Sequence, residues 1–118
     1  MMMRLSFAGP GWRSLKIERQ LDFIAAPKIC DELLSAAAAE SNLLVDLDAV
    51  DAADEPGIAA FIAAVRRVHA DHPHIRIAVL AHRALLADSL ERNIPSGVAE
   101  IYRDRRSARA AISSLAAA

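Results

Sequence analysis

Leu5 and Phe7 before the turn Gly9-Pro10-Gly11, and Leu15 and Ile17 after it, alternate with polar neighbours. That is the period of a half-buried strand, and it predicts a β-hairpin. The period then changes. From Pro27 to about Glu40, Ile29, Leu33 and Ala37 recur every four residues, and Pro27 suits a first helical turn, where its missing N–H costs nothing. Leu43, Leu44, Val45 and Leu47 form a nearly continuous apolar run, the pattern of a strand covered on both faces in a parallel sheet. Ile58, Phe61, Ile62, Val65 and Val68 share one helical stripe opposite Arg66 and Arg67, and Pro73 closes that segment. Ile75, Ile77, Val79 and Leu80 predict another buried strand. Arg83 to about Arg92 predicts a helix turning Leu86 and Leu90 inward, stopped by Pro95 and Gly97. Val98, Ile101 and Tyr102 make a last short strand, and Ala108, Ala111, Ile112 and Leu115 a terminal amphipathic helix whose alanine-rich end is expected to fray. The order ββαβαβαβα, with crossover-length helices between strands, predicts an α/β fold: a mostly parallel sheet packed against helices.

Composition narrows this further. A chain of 118 residues suits one domain, expected to span 1–118. Apolar residues make up 54% of it, but aromatics only 4%. Layers packed through small side chains are therefore expected, rather than a wide aromatic-lined pocket. Fourteen basic against fifteen acidic residues leave a net charge of -1, which lacks the basic excess of a protein that tracks phosphate backbones, so nucleic acid is not an expected partner. Cys30 is the only cysteine, excluding an internal disulfide and the thiolate clusters of structural zinc. A reducing cytoplasm fits. The apolar stretch from Leu5 to Ala8 is too short for a signal peptide or a membrane span.

Three stations between Ile17 and Ile62 carry a resemblance. IERQLDF, Ile17 to Phe23, is an apolar strand leading to Leu21-Asp22; LLVDLDAV, Leu43 to Val50, holds Asp46-Leu47 with a valine three residues on; DEPGIAAFIAA, Asp54 to Ala64, runs from acid through Gly57 into an apolar helix. In order and spacing these resemble the STAS family, named for sulfate transporters and anti-sigma factor antagonists, and IYRDRRSARAAI is similar to the family's last strand and helix. The resemblance implies a STAS-like fold and a regulatory module that binds a protein partner, an anti-sigma factor or kinase-like regulator, without catalysis and without a cofactor. Asp22 and Asp46 occupy family-motif positions. The implied docking surface is the loop of Asp51, Asp54, Glu55, Pro56 and Gly57 with the exposed face of the following helix. Two departures stand out. Arg19 and Gln20 replace a common glycine–acid pair, and the position of the phosphorylatable serine before the loop glycine is Pro56, beside Glu55. No threonine occurs anywhere and no serine lies between Ser41 and Ser89. The resemblance therefore implies binding that loop phosphorylation does not switch. Asp54 and Glu55 either cap the helix, as acids at a helix start ordinarily do, or imitate a phosphorylated loop.

Other constellations lead less far. VDLDAV fits the opening motif of haloacid dehalogenase-like phosphatases, but that chemistry needs a downstream lysine, and the only lysines are Lys16 and Lys28. Asp46, Asp48, Asp51 and Asp54 lack the glycine turn of a calcium loop and read instead as a solvated acidic rim. A response-regulator receiver would need an acidic pair after the first strand and a late lysine, both missing. His69, His72 and His74 sit where a helix C-terminus favours cations, and zinc lacks an evident fourth ligand. Cys30 reads as a buried thiol, and Trp12 as the one large aromatic open to solvent, anchoring an interface or capping the hairpin. Two further readings remain: a lipid or small-ligand carrier using an apolar cleft between the last helices and the sheet, and a subunit of a transport assembly.

Overall fold

The computed structural model describes the backbone of residues 2–117 and the side chains of these except 2, 4–8 and 114–117. Five strands and four helices alternate as the periodicities predict. β1 (Met2–Gly9) and β2 (Trp12–Leu21) form the hairpin. Gly9 and Gly11 take φ of 148° and 76°, conformations that a side chain disfavours and glycine accepts. α1 (Ala26–Ala38), β3 (Asn42–Ala53), α2 (Glu55–Asp71), β4 (Ile77–Leu80), α3 (Ala84–Asn93), β5 (Glu100–Tyr102) and α4 (Arg105–Ala117) follow. The sheet order is β1-β2-β3-β4-β5; β1 pairs antiparallel with β2, and every other neighbour is parallel. Chain order and spatial order coincide because each crossover returns its strand beside the one before it.

One face of the sheet is covered by three helices. Leu15, Ile17, Leu43, Val45, Leu47, Ile77 and Val79 pack against Ile29 and Leu33 of α1, Phe61, Val65 and Val68 of α2, and Leu86 and Leu90 of α3. These are the inward stripes of the sequence, each side chain contributing about 1.5–3 kcal/mol by leaving water. The opposite face is covered by α4, which lays Ala108 and Ile112 over Trp12, Leu44, Ala78 and Leu80.

Several boundaries and placements differ from expectation. β3 is far longer than its apolar run and carries Asp46, Asp48 and Asp51 as strand residues. Ile75 and Val98 lie just outside β4 and β5, although Ile75 is buried. Trp12 is not open to solvent: at 3% exposure it is the large anchor of the minor core, because α4 closes over it. Cys30 is only half-buried; its thiol donates to the carbonyl of Ala60 at 3.6 Å, and burial, reinforced by the charge of Asp31, pushes it above its ordinary pKa. α4 runs on to Ala117. The expected inward positions Leu5, Phe7 and Leu115 lie outside the described side chains. Arg19 has φ of 72° in a β2 bulge, so the departure from glycine–acid at Arg19-Gln20 places a long side chain in left-handed backbone.

Candidate docking site

The expected loop from Asp51 to Gly57 is barely a loop. Asp51 to Ala53 finish β3, Glu55 to Gly57 open α2, and Asp54 alone joins them as the N-cap, with extended φ of -115°. Its carboxylate works on both sides. Oδ1 accepts from the backbone N–H of Gly57 at 2.7 Å, and Oδ2 from the backbone N–H of Phe23 at 3.3 Å, so the cap also ties down the β2–α1 connection. The N–H of Asp54 in turn donates to the carbonyl of Leu21 at 3.2 Å. Asp22 anchors the start of α1 in a similar way. Its Oδ1 accepts from Ala25 N–H at 2.8 Å and its carbonyl from Ala26 N–H at 2.9 Å, bending the chain into the helix.

Gly57 is where α2 meets β2. A Cβ there would stand 2.5 Å from Asp22 Cα and 2.6 Å from Leu21 C, and closer still to the Leu21 carbonyl oxygen. Only glycine lets the first turn of α2 approach the end of β2 this closely. Pro56 lies in that first turn, where its missing N–H leaves no intrahelical bond unmade. Glu55 is exposed and, among the described residues, has no ion-pair partner. It is the free negative charge at this helix start, and the helix dipole favours it there.

The large hydrophobic side chains exposed among the described residues are Phe23 at 70%, Ile24 at 88% and Leu85 at 87%. All belong to this end of the sheet: Phe23 and Ile24 follow β2, Leu85 follows β4, and the Asp54 cap follows β3 between them. Leu85 also walls a groove of about 680 Å³, bounded by Val50, Ala52, Ala53, Ile58 and Leu86, with Asp51 and Arg83 at its rim. Arg83 holds the rim closed on β3, donating from Nη1 to the Asp51 carbonyl at 2.8 Å with Nη2 3.9 Å from Asp51 Oδ1. These apolar side chains were missed in the sequence, although one signal existed. Leu85 stands one residue off the Leu86–Leu90 stripe, where a polar residue would serve a solvated helix.

The acidic stretch forms the expected solvated rim only in part: Asp51 and Asp54 are exposed, but Asp46 is not. Asp46 is 3% exposed, faces α4 and is paired: Oδ2 accepts from Arg105 at 3.1 Å and Oδ1 from the N–H of Asp48 at 2.9 Å. Asp48 shares Arg105 at 3.2 Å and lies 2.9 Å from His82 Nδ1. Asp46 and Asp48 thus sit on the α4 face, away from Asp51 and Asp54. At the other end of the molecule His72 and His74 lie 3.9 and 3.4 Å from the Glu40 carboxylate, and His72 is the C-cap of α2. No group of three or more His, Cys, Asp or Glu side chains suited to a metal occurs among the described residues.

The arrangement is that of a small α/β domain presenting a helix start and an apolar margin at the carboxyl end of a parallel sheet, the end at which such sheets receive their ligands. The chain belongs to the STAS domain family, whose model matches residues 10–92. Comparison with curated proteins finds no match. Among solved structures, the anti-sigma factor antagonist SpoIIAA in its unphosphorylated form matches with a TM-score of 0.68 and 12% identity over 97% of each chain. An anti-sigma factor antagonist from Mycobacterium paratuberculosis matches with 0.71 and 16% identity, covering 95% of this chain and 93% of that one. A serine-to-glutamate variant of RsbS from Moorella thermoacetica matches with 0.72 and 16% identity over 100% of each chain. At these identities the likeness is one of fold. No helix among the described residues is long and apolar enough to cross a membrane.

Proposed function

We propose that residues 1–118 form a regulatory, non-catalytic binding module of the anti-sigma factor antagonist type, acting in the cytoplasm on a protein partner such as an anti-sigma factor or kinase-like regulator. The observation that carries this reading is the exposure of Phe23, Ile24 and Leu85 at the same end of the sheet as the Asp54–Gly57 helix start. Burying side chains of this size against a partner yields about 1.5–3 kcal/mol each, enough for a few such anchors to dominate an interface. SpoIIAA has been solved in a phosphorylated form; here Pro56 takes the acceptor position and the stretch from Val50 to Ile58 has no hydroxyl. Docking is therefore constitutive with respect to that switch. Of the two acids, Asp54 spends both carboxylate oxygens on backbone N–H groups, so Glu55 is the charge a partner would read as a fixed negative mark.

The test is titration calorimetry of an anti-sigma factor of the same organism against the wild-type chain and the variants Leu85→Ser, Phe23→Ser and Glu55→Gln. Leu85→Ser and Phe23→Ser are expected to weaken binding about tenfold or more, and Glu55→Gln to change it by a similar factor at low salt. Incubation with ATP and the kinase should leave residues 50–58 unmodified. Affinities within twofold of wild type for all three variants, with melting unchanged, would refute the docking surface. The groove beside Leu85 also supports the reading as a small-ligand carrier, its size falling within the range of ligand pockets. Native mass spectrometry showing a co-purified lipid, displaced by Ile58→Trp, would favour that reading.

A further inference from the structure

The segment that leads from β5 into α4, Arg103-Asp104-Arg105, is tied both to α3 and to β3. Arg103 reaches α3: Nε donates to Glu91 Oε1 at 3.2 Å, Nη2 to Glu91 Oε2 at 2.9 Å and to Asp88 Oδ1 at 2.5 Å. A guanidinium bound in this forked way is fixed in orientation as well as position. Two residues on, Arg105 spans the carboxylates of Asp46 and Asp48 on β3. Asp104 between them caps the start of α4, accepting from the N–H of Ser107 at 2.8 Å and from its hydroxyl at 2.9 Å.

Each end of this bridge leads to a helix, α4 on one face of the sheet and α3 on the other. α4 alone covers the second face of the sheet among the described residues, and its described apolar contribution there is Ala108 and Ile112. Beside these apolar contacts, Arg105 supplies a polar part of the seating of α4. α3, for its part, opens with Arg83 and Leu85, one wall of the groove. The corner before it is held from both faces of the sheet by consecutive residues, His82 to Asp48 and Arg83 to Asp51. Asp48 is therefore common to α4 and the α3 corner.

We infer that the Arg103-Asp104-Arg105 segment couples the seating of α4 over Trp12 to the position of α3, so that displacing either helix loosens the other. The inference leans on the docking reading only for its consequence, that an event at α4 would alter the groove; the coupling itself is measured without a partner. Trp12 is the single tryptophan of the chain, buried beneath α4, so its emission and its quenching by acrylamide report the cover that α4 gives it. Backbone hydrogen exchange of residues 87–93 reports α3.

Arg103→Gln removes the ties to α3 and leaves the Asp46–Arg105 pair intact, so it should fold; Arg105→Gln removes the ties to β3. Arg106→Gln, at an exposed neighbour, is the control. With coupling, Arg103→Gln raises acrylamide quenching of Trp12 at least about twofold, and both Arg103→Gln and Arg105→Gln speed exchange in residues 87–93 and 109–113 together by about tenfold. Arg106→Gln does neither. Exchange in α3 that stays within twofold of wild type while α4 loosens in Arg105→Gln overturns the coupling. So does unchanged Trp12 quenching in Arg103→Gln when its α3 exchange has risen.

Discussion

Gly57→Ala is the sharpest single test of how α2 is seated. In an ordinary helix this change stabilises, by about 0.5–1 kcal/mol, because alanine loses less backbone freedom on folding. Here the sign should reverse. The added methyl would lie 2.5 Å from Asp22 Cα and 2.6 Å from Leu21 C, both backbone atoms of a strand end that β3 holds in register. Neither can rotate away as a side chain would. Relief requires the first turn of α2 to withdraw from β2, which costs about 1–3 kcal/mol as overpacking. Withdrawal also stretches the 2.7 Å bond from Gly57 N–H to Asp54 and the 3.2 Å bond from Asp54 N–H to Leu21, and a lost N-cap costs about 1 kcal/mol more. Set against the propensity gain, the net loss is about 1–3.5 kcal/mol, a fall in melting temperature of roughly 5–15 °C for a domain of this size. Urea and thermal unfolding followed by circular dichroism measure it. An alanine variant as stable as wild type, or more stable, would show that α2 and β2 do not meet at this position.

Asp54→Ala, which removes both the cap and the tie to Phe23, should lower stability by about 1–2 kcal/mol, whereas Glu55→Gln should change it by no more than about 0.5 kcal/mol; equal losses in urea titrations would contradict the division of labour between the two acids. Arg19→Gly should be close to neutral or stabilising, within about 0.5 kcal/mol of wild type or above it, because relief of left-handed strain at φ of 72° offsets the entropy of glycine. A loss above about 1 kcal/mol, the usual result inside a strand, would refute it. Asp104 is held below the ordinary carboxylate range by the N–H and hydroxyl of Ser107. Its contribution is therefore complete above the ordinary aspartate value and disappears as pH falls through the lowered one. Trp12 quenching should accordingly rise on acidification through that window, and Asp104→Asn should remove that part of the pH dependence.

Much of the architecture was legible in the residue pattern because it depends on period and on local chemistry. The every-fourth-residue spacing of Ile29, Leu33 and Ala37, the stripe Phe61–Val65–Val68 and the alternation Leu15–Ile17 all face the major core. Proline and glycine punctuation placed the connections, and the nearly continuous run Leu43–Leu47 announced a central strand. Asp54 as a helix cap was legible for the same reason, since a cap is decided within three residues.

What tertiary structure alone decided concerns residues whose environment is supplied by distant chain. Trp12 looked exposed after a turn, but α4, at the other end of the chain, buries it. Asp46 looked like part of a solvated rim, and Arg105 makes it a buried, paired carboxylate. A crowded strand–helix junction at Gly57 was legible from its place at the start of α2, but the backbone that crowds it, that of Leu21 and Asp22, belongs to the end of β2 and is brought under α2 only by the fold. Phe23, Ile24 and Leu85 meet on one margin because β2, β3 and β4 are neighbours in space. Local spacing specifies which face of an element is apolar. Which partner covers that face, and which apolar side chains remain uncovered, is fixed only when the parallel sheet brings separate crossovers to the same end.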